Sequence, residues 1–237
     1  MYKNIGFFEA CSKGKRKYVA CDIFNQKIKK IPVDTRNLLL GFCFYQKIED
    51  LPNYFKSLTL GYHFNHKIKN LPDNLKSLTF DQSFDQKLEN LPNSLKSLTL
   101  GYNFNQKLEN LPNSLQRLTL SWNFNQKLEN LPNGLQILTL GHNFNQKLEN
   151  LPNSLQKLSL GRVFNQKLNA CLALPKLQIL EISDNYKGNV PIFFGTITII
   201  CSYNMPNVRN EIKNQIEQNY DFSEWKNIFY KSIKDSL

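Results

Sequence analysis

The stretch Phe104–Asn123 reads FNQKLENLPNSLQRLTLSWN, and the next twenty residues, Phe124–Asn143, read FNQKLENLPNGLQILTLGHN. Sixteen of the twenty positions are identical. The pattern continues in both directions. Phe recurs at 24, 44, 64, 84, 104, 124, 144 and 164, with Lys three places later each time. Leu-Pro recurs at 51–52, 71–72, 91–92, 111–112, 131–132 and 151–152. An uninterrupted period of this length marks a repeat architecture.

One unit cannot fold alone. The apolar set of a unit, Phe104, Leu108, Leu111, Leu115, Leu118 and Leu120, cannot bury enough surface within one turn of chain to offset ordering of twenty backbones. Units must therefore stack and share faces. The Leu-x-Leu pairs at 58/60, 98/100, 118/120, 138/140 and 158/160 alternate inward and outward like a short strand. Strands from successive units would lie parallel, ~4.8 Å apart. The proline in every unit leaves extended or turn structure for the remainder. The expected fold is a mainly β repeat solenoid with 20-residue coils and one parallel sheet.

The period divides the chain. Residues 1–17 are expected to cap the array, using Ile5, Phe7 and Phe8 with Tyr18. The solenoid is expected over 18–206, with about eight regular coils to 168 and then one or two degenerate ones, LPKLQILEISDN (174–185) and VPIFFGTITIICSYN (190–204). Beyond it, Val208, Ile212 and Ile216 recur at helical spacing. Ser223 is placed to cap a second helix carrying Trp225, Ile228, Phe229 and Ile233. A short C-terminal α-helical cap is expected over 207–237.

The stretch LPNSLQRLTLSWNFNQKLENLP (111–132) resembles the FNIP repeat, a relative of the leucine-rich repeat. It is also similar to short bacterial leucine-rich repeats with Leu-Pro in each coil. The likeness covers about residues 18–185. It implies an open, curved, leucine-rich-repeat-like solenoid used for protein–protein recognition, of the kind found in social amoebae and in giant viruses infecting amoebae. In that family the repeats often follow an F-box that recruits a ubiquitin ligase. The segment MYKNIGFFEACSKGKRKYVACDI before the first Phe is too short for one, so an adaptor role is not expected. The usual leucine-rich-repeat asparagine is partial, present at 103, 123, 143 and 185. The asparagines just after each Phe, at 25, 65, 105, 125, 145 and 165, are expected to form a stacked amide ladder instead, broken at Tyr45 and Asp85.

Where the units differ, stacking does not dictate the residue. The place two after each Leu-x-Leu reads Phe42, Tyr62, Gln82, Tyr102, Trp122, His142 and Arg162, and the outward place before the pair includes Arg117. Aromatics, Arg and His in a row on a rigid sheet are the material of binding hot spots. These eight residues are the candidate protein-binding site, expected to line the exposed sheet face. The bland reading, that the row packs along itself and covers the strand edge, carries equal weight.

Net charge is +11, concentrated in residues 1–40 with nine Lys/Arg against three acids. The run KGKRK offers Lys13, Lys15, Arg16 and Lys17 as an alternative site for nucleic acid or another polyanion, together with the lysine column. Stacked like charges ~5 Å apart repel by ~0.8 kcal/mol even in water, so the lysines must face solvent. Glu49, Glu89, Glu109, Glu129 and Glu149, each two residues after a column lysine, are expected to form a near-neutral lattice with them. That disfavours a nucleic-acid groove there.

Catalytic, metal and cofactor chemistry is not expected. Three histidines lack carboxylate or cysteine neighbours at ligand spacing. Asp81 and Asp85, the nearest acid pair, read as a substituted glycine and asparagine. Five cysteines, an odd number without Cys-x-x-Cys spacing, fit reduced thiols and an intracellular, cytoplasmic setting. The apolar stretch 190–201 is shorter than the ~20 residues a membrane span needs.

Overall fold

The computed structural model describes residues 8–12, 15–19, 25, 28, 31, 35–49, 51–169, 171, 174–183, 185–188 and 197–202. The expected C-terminal helices over 207–237, with Ile5, Phe7 and Lys13, lie outside the described residues.

Eleven strands form one sheet in strict chain order. They are β1 (Phe8–Ser12), β2 (Lys15–Val19), β3 (Asn37–Leu39), β4 (Ser57–Leu60), β5 (Ser77–Phe80), β6 (Ser97–Thr99), β7 (Arg117–Thr119), β8 (Ile137–Thr139), β9 (Lys157–Ser159), β10 (Ile179–Ser183) and β11 (Thr198–Ser202). From β2 onward each strand pairs parallel with the next. The register joins each residue to its copy one coil on, as Leu98 to Leu118 and Leu118 to Leu138. β1 instead folds back antiparallel on β2, so the chain opens with a hairpin along the first coil's edge.

The strands are short because each coil must turn twice in twenty residues. One turn closes where Leu115 N–H donates to Pro112 O (3.0 Å), repeated at Leu75, Leu95, Leu135 and Leu155. Proline suits this corner, since its fixed φ and missing donor forfeit no ladder bond. The other turn closes where Phe124 N–H donates to Ser121 O and Phe144 N–H to Gly141 O. Between them the residues after each Phe run without regular secondary structure.

The core is a set of columns. Phe44, Phe64, Phe84, Phe104, Phe124, Phe144 and Phe164 are at most 1% exposed. Their rings stack with centroids 6.0–6.3 Å apart. Tyr186 continues the column 6.2 Å from Phe164 and donates its hydroxyl to Gln166 O at 3.1 Å. Leu118, Leu120 and their copies fill the space between this column and the sheet. Coils approach so closely beyond the strands that a Cβ on Gly141 would lie 1.5 Å from Ser121 O. That explains the recurrent glycine there.

The ladder after the Phe column forms, with a different chemistry from the expected amide stack. Each side-chain oxygen accepts a backbone N–H from the next coil. Asn125 N–H donates to Asn105 Oδ1, Asn145 N–H to Asn125 Oδ1 and Asn165 N–H to Asn145 Oδ1, each at 2.9 Å. Asp85 does not break it: its carboxylate accepts from Asn105 N–H at 2.9 Å, and its own N–H reaches Asn65 Oδ1 at 3.0 Å. Only an acceptor is needed, and Asp supplies one as well as Asn. Tyr45 N–H donates to Asn25 Oδ1, but its ring has no oxygen in reach of the next coil. There His66 Nε2 donates to Tyr45 O at 2.5 Å.

Candidate functional site

The variable column stands at the first corner of the turn that leaves each strand. Leu120 still points into the core, the small residue at 121 is enclosed, and Trp122 emerges. The column therefore occupies the downstream edge of the sheet rather than its face.

Phe42, Tyr102 and Trp122 are 46%, 42% and 45% exposed, and Arg162 is exposed. Tyr62, Gln82 and His142 are half-buried. The rings form two stacks. Phe42 and Tyr62 lie 4.4 Å apart at 27°, with His63 edge-on to both. Tyr102 and Trp122 lie 5.5 Å apart at 13°, and Trp122 and His142 lie 4.0 Å apart at 9°. Gln82 separates the stacks. Both faces of Trp122 and one face of each other ring are thus spent on a neighbour, and ring edges, where partial positive charge resides, are presented outward.

A second row buttresses the longer stack. Asn123 Nδ2 donates to Asn103 Oδ1 at 3.3 Å and Asn143 Nδ2 to Asn123 Oδ1 at 2.9 Å. His142 Nδ1 is 2.8 Å from Asn143 Oδ1, so it donates there. The coils at 103, 123 and 143 thus hold both an amide ladder and the ring stack beside it, joined through His142 and Asn143. Arg117, exposed at the start of β7, stands at the opposite end of the strand from this stack. Lys15, Arg16 and Lys17 lie on β2, at the opposite end of the array from β9 and β10.

The lysine and glutamate columns of the return leg are both exposed. Among the described residues no ion pair within 4 Å joins them, so the expected lattice is two parallel columns. An ion pair among the described residues lies on the sheet face, between Lys157 Nζ and Glu181 Oε1 at 2.6 Å. Ser159 Oγ donates to Glu181 Oε2 at 2.5 Å. Burial raises the Glu181 pKa, but the Lys157 and Ser159 hydrogen bonds and the lysine charge outweigh it and hold the carboxyl below its usual range.

Among the described residues no group of His, Cys, Asp or Glu is arranged to hold a metal ion. Asp81 occupies the glycine column and Asp85 the asparagine ladder. Burial pushes the Cys171 thiol up to about 12, far from reactive. No described helix is long and apolar enough to cross a membrane.

One structural column escaped the sequence reading. Asn70, Asn90, Asn110, Asn130 and Asn150 all adopt left-handed φ of 52–55° just before the Leu-Pro corner. The signal was present in the Asn before Leu-Pro on five successive coils from 70 to 150, since asparagine tolerates this conformation better than other non-glycine residues.

Known proteins carry the same architecture. A crystal structure described as that of CroV588, a novel circular LRR protein, superimposes with a TM-score of 0.66 at 38% identity. The match covers 76% of this chain and 32% of that one, so the chain spans about a third of its length. No curated protein matches the chain significantly. The FNIP repeat matches residues 24–83, 64–103, 84–123, 104–143, 124–162 and 144–185 in overlapping windows. The chain, with its leucine-rich-repeat-like solenoid, belongs to the FNIP repeat family.

Proposed function

We propose that the array is a non-enzymatic interaction module that binds a protein partner through the downstream edge of its sheet. Solenoids of this repeat type serve as protein-interaction scaffolds, and the comparisons give that general role. The finer assignment rests on one observation, the exposed stack Tyr102–Trp122–His142 braced by its asparagine row. Large rings already locked by their neighbours lose little rotamer freedom on binding, so more of the contact free energy is retained. Arg162, Phe42, Tyr62 and Gln82 complete that edge, and Arg117 adds a cation at the start of β7. The site needs no cofactor. We place the protein inside the cell, where its thiols stay reduced.

The test is affinity capture with nuclease present, comparing wild type with Tyr102→Ser/Trp122→Ser. Both positions already vary among coils, so the variant should keep its circular dichroism spectrum. A specific protein retained by wild type and reduced about tenfold or more in the variant is the expected result. Equal capture by both overturns the proposal. Capture lost on nuclease treatment or modest salt would favour the polyanion reading at Lys13, Lys15, Arg16 and Lys17.

A further inference from the structure

Charge is segregated around the coil. Glu89, Glu109 and Glu129 all stand on the return leg, each beside a lysine. The outward strand positions of β4 to β8 carry only Ser, Thr, Arg and Ile. Glu181 on β10 is engaged with Lys157 and Ser159, and Asp81 lies at the downstream edge. The residue just upstream of each strand, by contrast, is basic on four successive coils: Arg36, Lys56, Lys76 and Lys96. On the next coil the column turns to Gln116, and the cation moves one place on to Arg117. Lys56, Lys76 and Lys96 are exposed or half-buried, and among the described residues none forms an ion pair. Ser57, Ser77 and Ser97, the first residues of their strands, stand beside them as further donors.

We propose that an acidic, extended segment of the partner runs along the solenoid axis with its carboxylates on Lys56, Lys76, Lys96 and Arg117. This rests on the reading of the array as a protein-binding module and names the partner's chemistry. Lys76 N–H donates to Lys56 O and Lys96 N–H to Lys76 O, which sets the three lysines on successive coils, and Arg117 N–H donates to Lys96 O, which brings the fourth cation onto the next coil one residue along from the column. From Lys56 to Arg117 the row spans ~14 Å, the reach of four or five extended residues. Asp73, three residues before Lys76, is the one acid of this corner on coils 51–117, so the row keeps a net positive charge; its cations repel one another, and a row of carboxylates relieves that repulsion. The outward ring edges bear positive partial charge as well, so both edges of the sheet favour the same sign of ligand. Single-stranded nucleic acid fits less well, because its bases need ring faces, and neighbouring rings cover both faces of Trp122 and one face each of Phe42, Tyr62, Tyr102 and His142.

The probe is a fluorescein-labelled oligoglutamate peptide followed by anisotropy, beside a labelled oligothymidylate at the same salt. Wild type is compared with Lys56→Gln/Lys76→Gln/Lys96→Gln. Gln already stands in this column at 116 and 136, where its carbonyl accepts the same pair of N–H groups, so the fold is preserved. The control is Lys107→Gln/Lys127→Gln/Lys147→Gln on the return leg. We expect the first variant to lose about tenfold in peptide affinity and the control less than about twofold. Equal losses in both variants, no peptide binding by wild type, or tighter binding of the oligothymidylate each overturn the proposal. Capture of the cellular partner separates the two ideas. If the upstream-edge variant still captures a protein that Tyr102→Ser/Trp122→Ser loses, the acidic-segment assignment fails and the ring-edge reading stands. If the ring variant still captures the protein, the ring-edge reading fails, whatever the peptide does.

Discussion

At the scale of single residues, the fixed letters of the repeat separate into those that stack and those that shape the backbone. Position 134 shows the difference. Ser94, Ser114 and Ser154 each donate Oγ to the carbonyl of a leucine one coil back, at 2.5–2.6 Å. Gly134 holds the same place without a hydroxyl, and its φ is not left-handed. A Cβ there would sit 3.2 Å from Asn113 O, tight but tolerated by the serines of neighbouring coils. Gly134→Ser should therefore stabilise the protein by about 1 kcal/mol, from a stiffer unfolded chain and one more hydrogen bond. Urea unfolding would show a higher midpoint at unchanged slope, and an unchanged or lower midpoint would refute the argument. The identity of a repeated residue was legible in the sequence, but its reason often was not. The Phe column announced itself by size. The left-handed asparagines and the N–H-accepting ladder depend on φ and on donor direction, which a row of letters does not carry.

At the scale of the element, the strands are interchangeable by design except where the array ends. β9 and β10 are joined by side chains as well as by the ladder, through Lys157, Ser159 and Glu181. The Glu181 carboxyl is held below its usual range in the folded state. Its contribution is therefore complete above the ordinary glutamate pKa of ~4.3 and is lost as pH falls through the lowered folded value. The side chain is half-buried and the pair still meets solvent, so the amount is small. Glu181→Gln should cost a few tenths of a kcal/mol at pH 7, and the gap from wild type should close as pH drops below ~4. A gap that widened in acid would show the sign to be wrong. This pairing could not be read from the period, because it links residues 24 positions apart where the repeat has slipped. The strands themselves were legible, since Leu-x-Leu alternation and the twenty-residue step fix both face and register. The site was legible only as a set of positions. Sequence could say that Tyr102, Trp122 and His142 share a column. It could not say that the rings spend their faces on one another, because that depends on coil spacing and on where the turn begins.

At the scale of the whole molecule, a repeat array should tolerate loss of a unit better than loss of part of one. Removing Phe124–Asn143 takes out one full period and joins Asn123 to Phe144. Phe144 then packs on Phe104 and Leu158 on Leu118, each replacing an equivalent neighbour, while Lys157 comes opposite Arg117 where Ile137 stood, a like-charge contact costing about 0.2–1 kcal/mol. Every ladder and column is restored, and what is lost is one coil and its share of the interfaces. The shortened protein should keep a single cooperative transition, with a slope reduced in proportion to the surface removed, roughly a tenth. Removing only 124–133 deletes half as many residues but takes a Phe, an asparagine acceptor and the Pro corner together. β8 would then remain without the return leg that carries its coil back to the core. The half-coil deletion should broaden or split the transition, or prevent folding, although it removes less of the chain. Circular dichroism during urea unfolding of the two deletions decides between a stack of equivalent units and a domain with one indivisible core. Equal damage from both would mean that stability depends on the individual contacts of coil 124–143. Greater damage from the full-period deletion would mean that total buried area, rather than completeness of each coil, holds the array together.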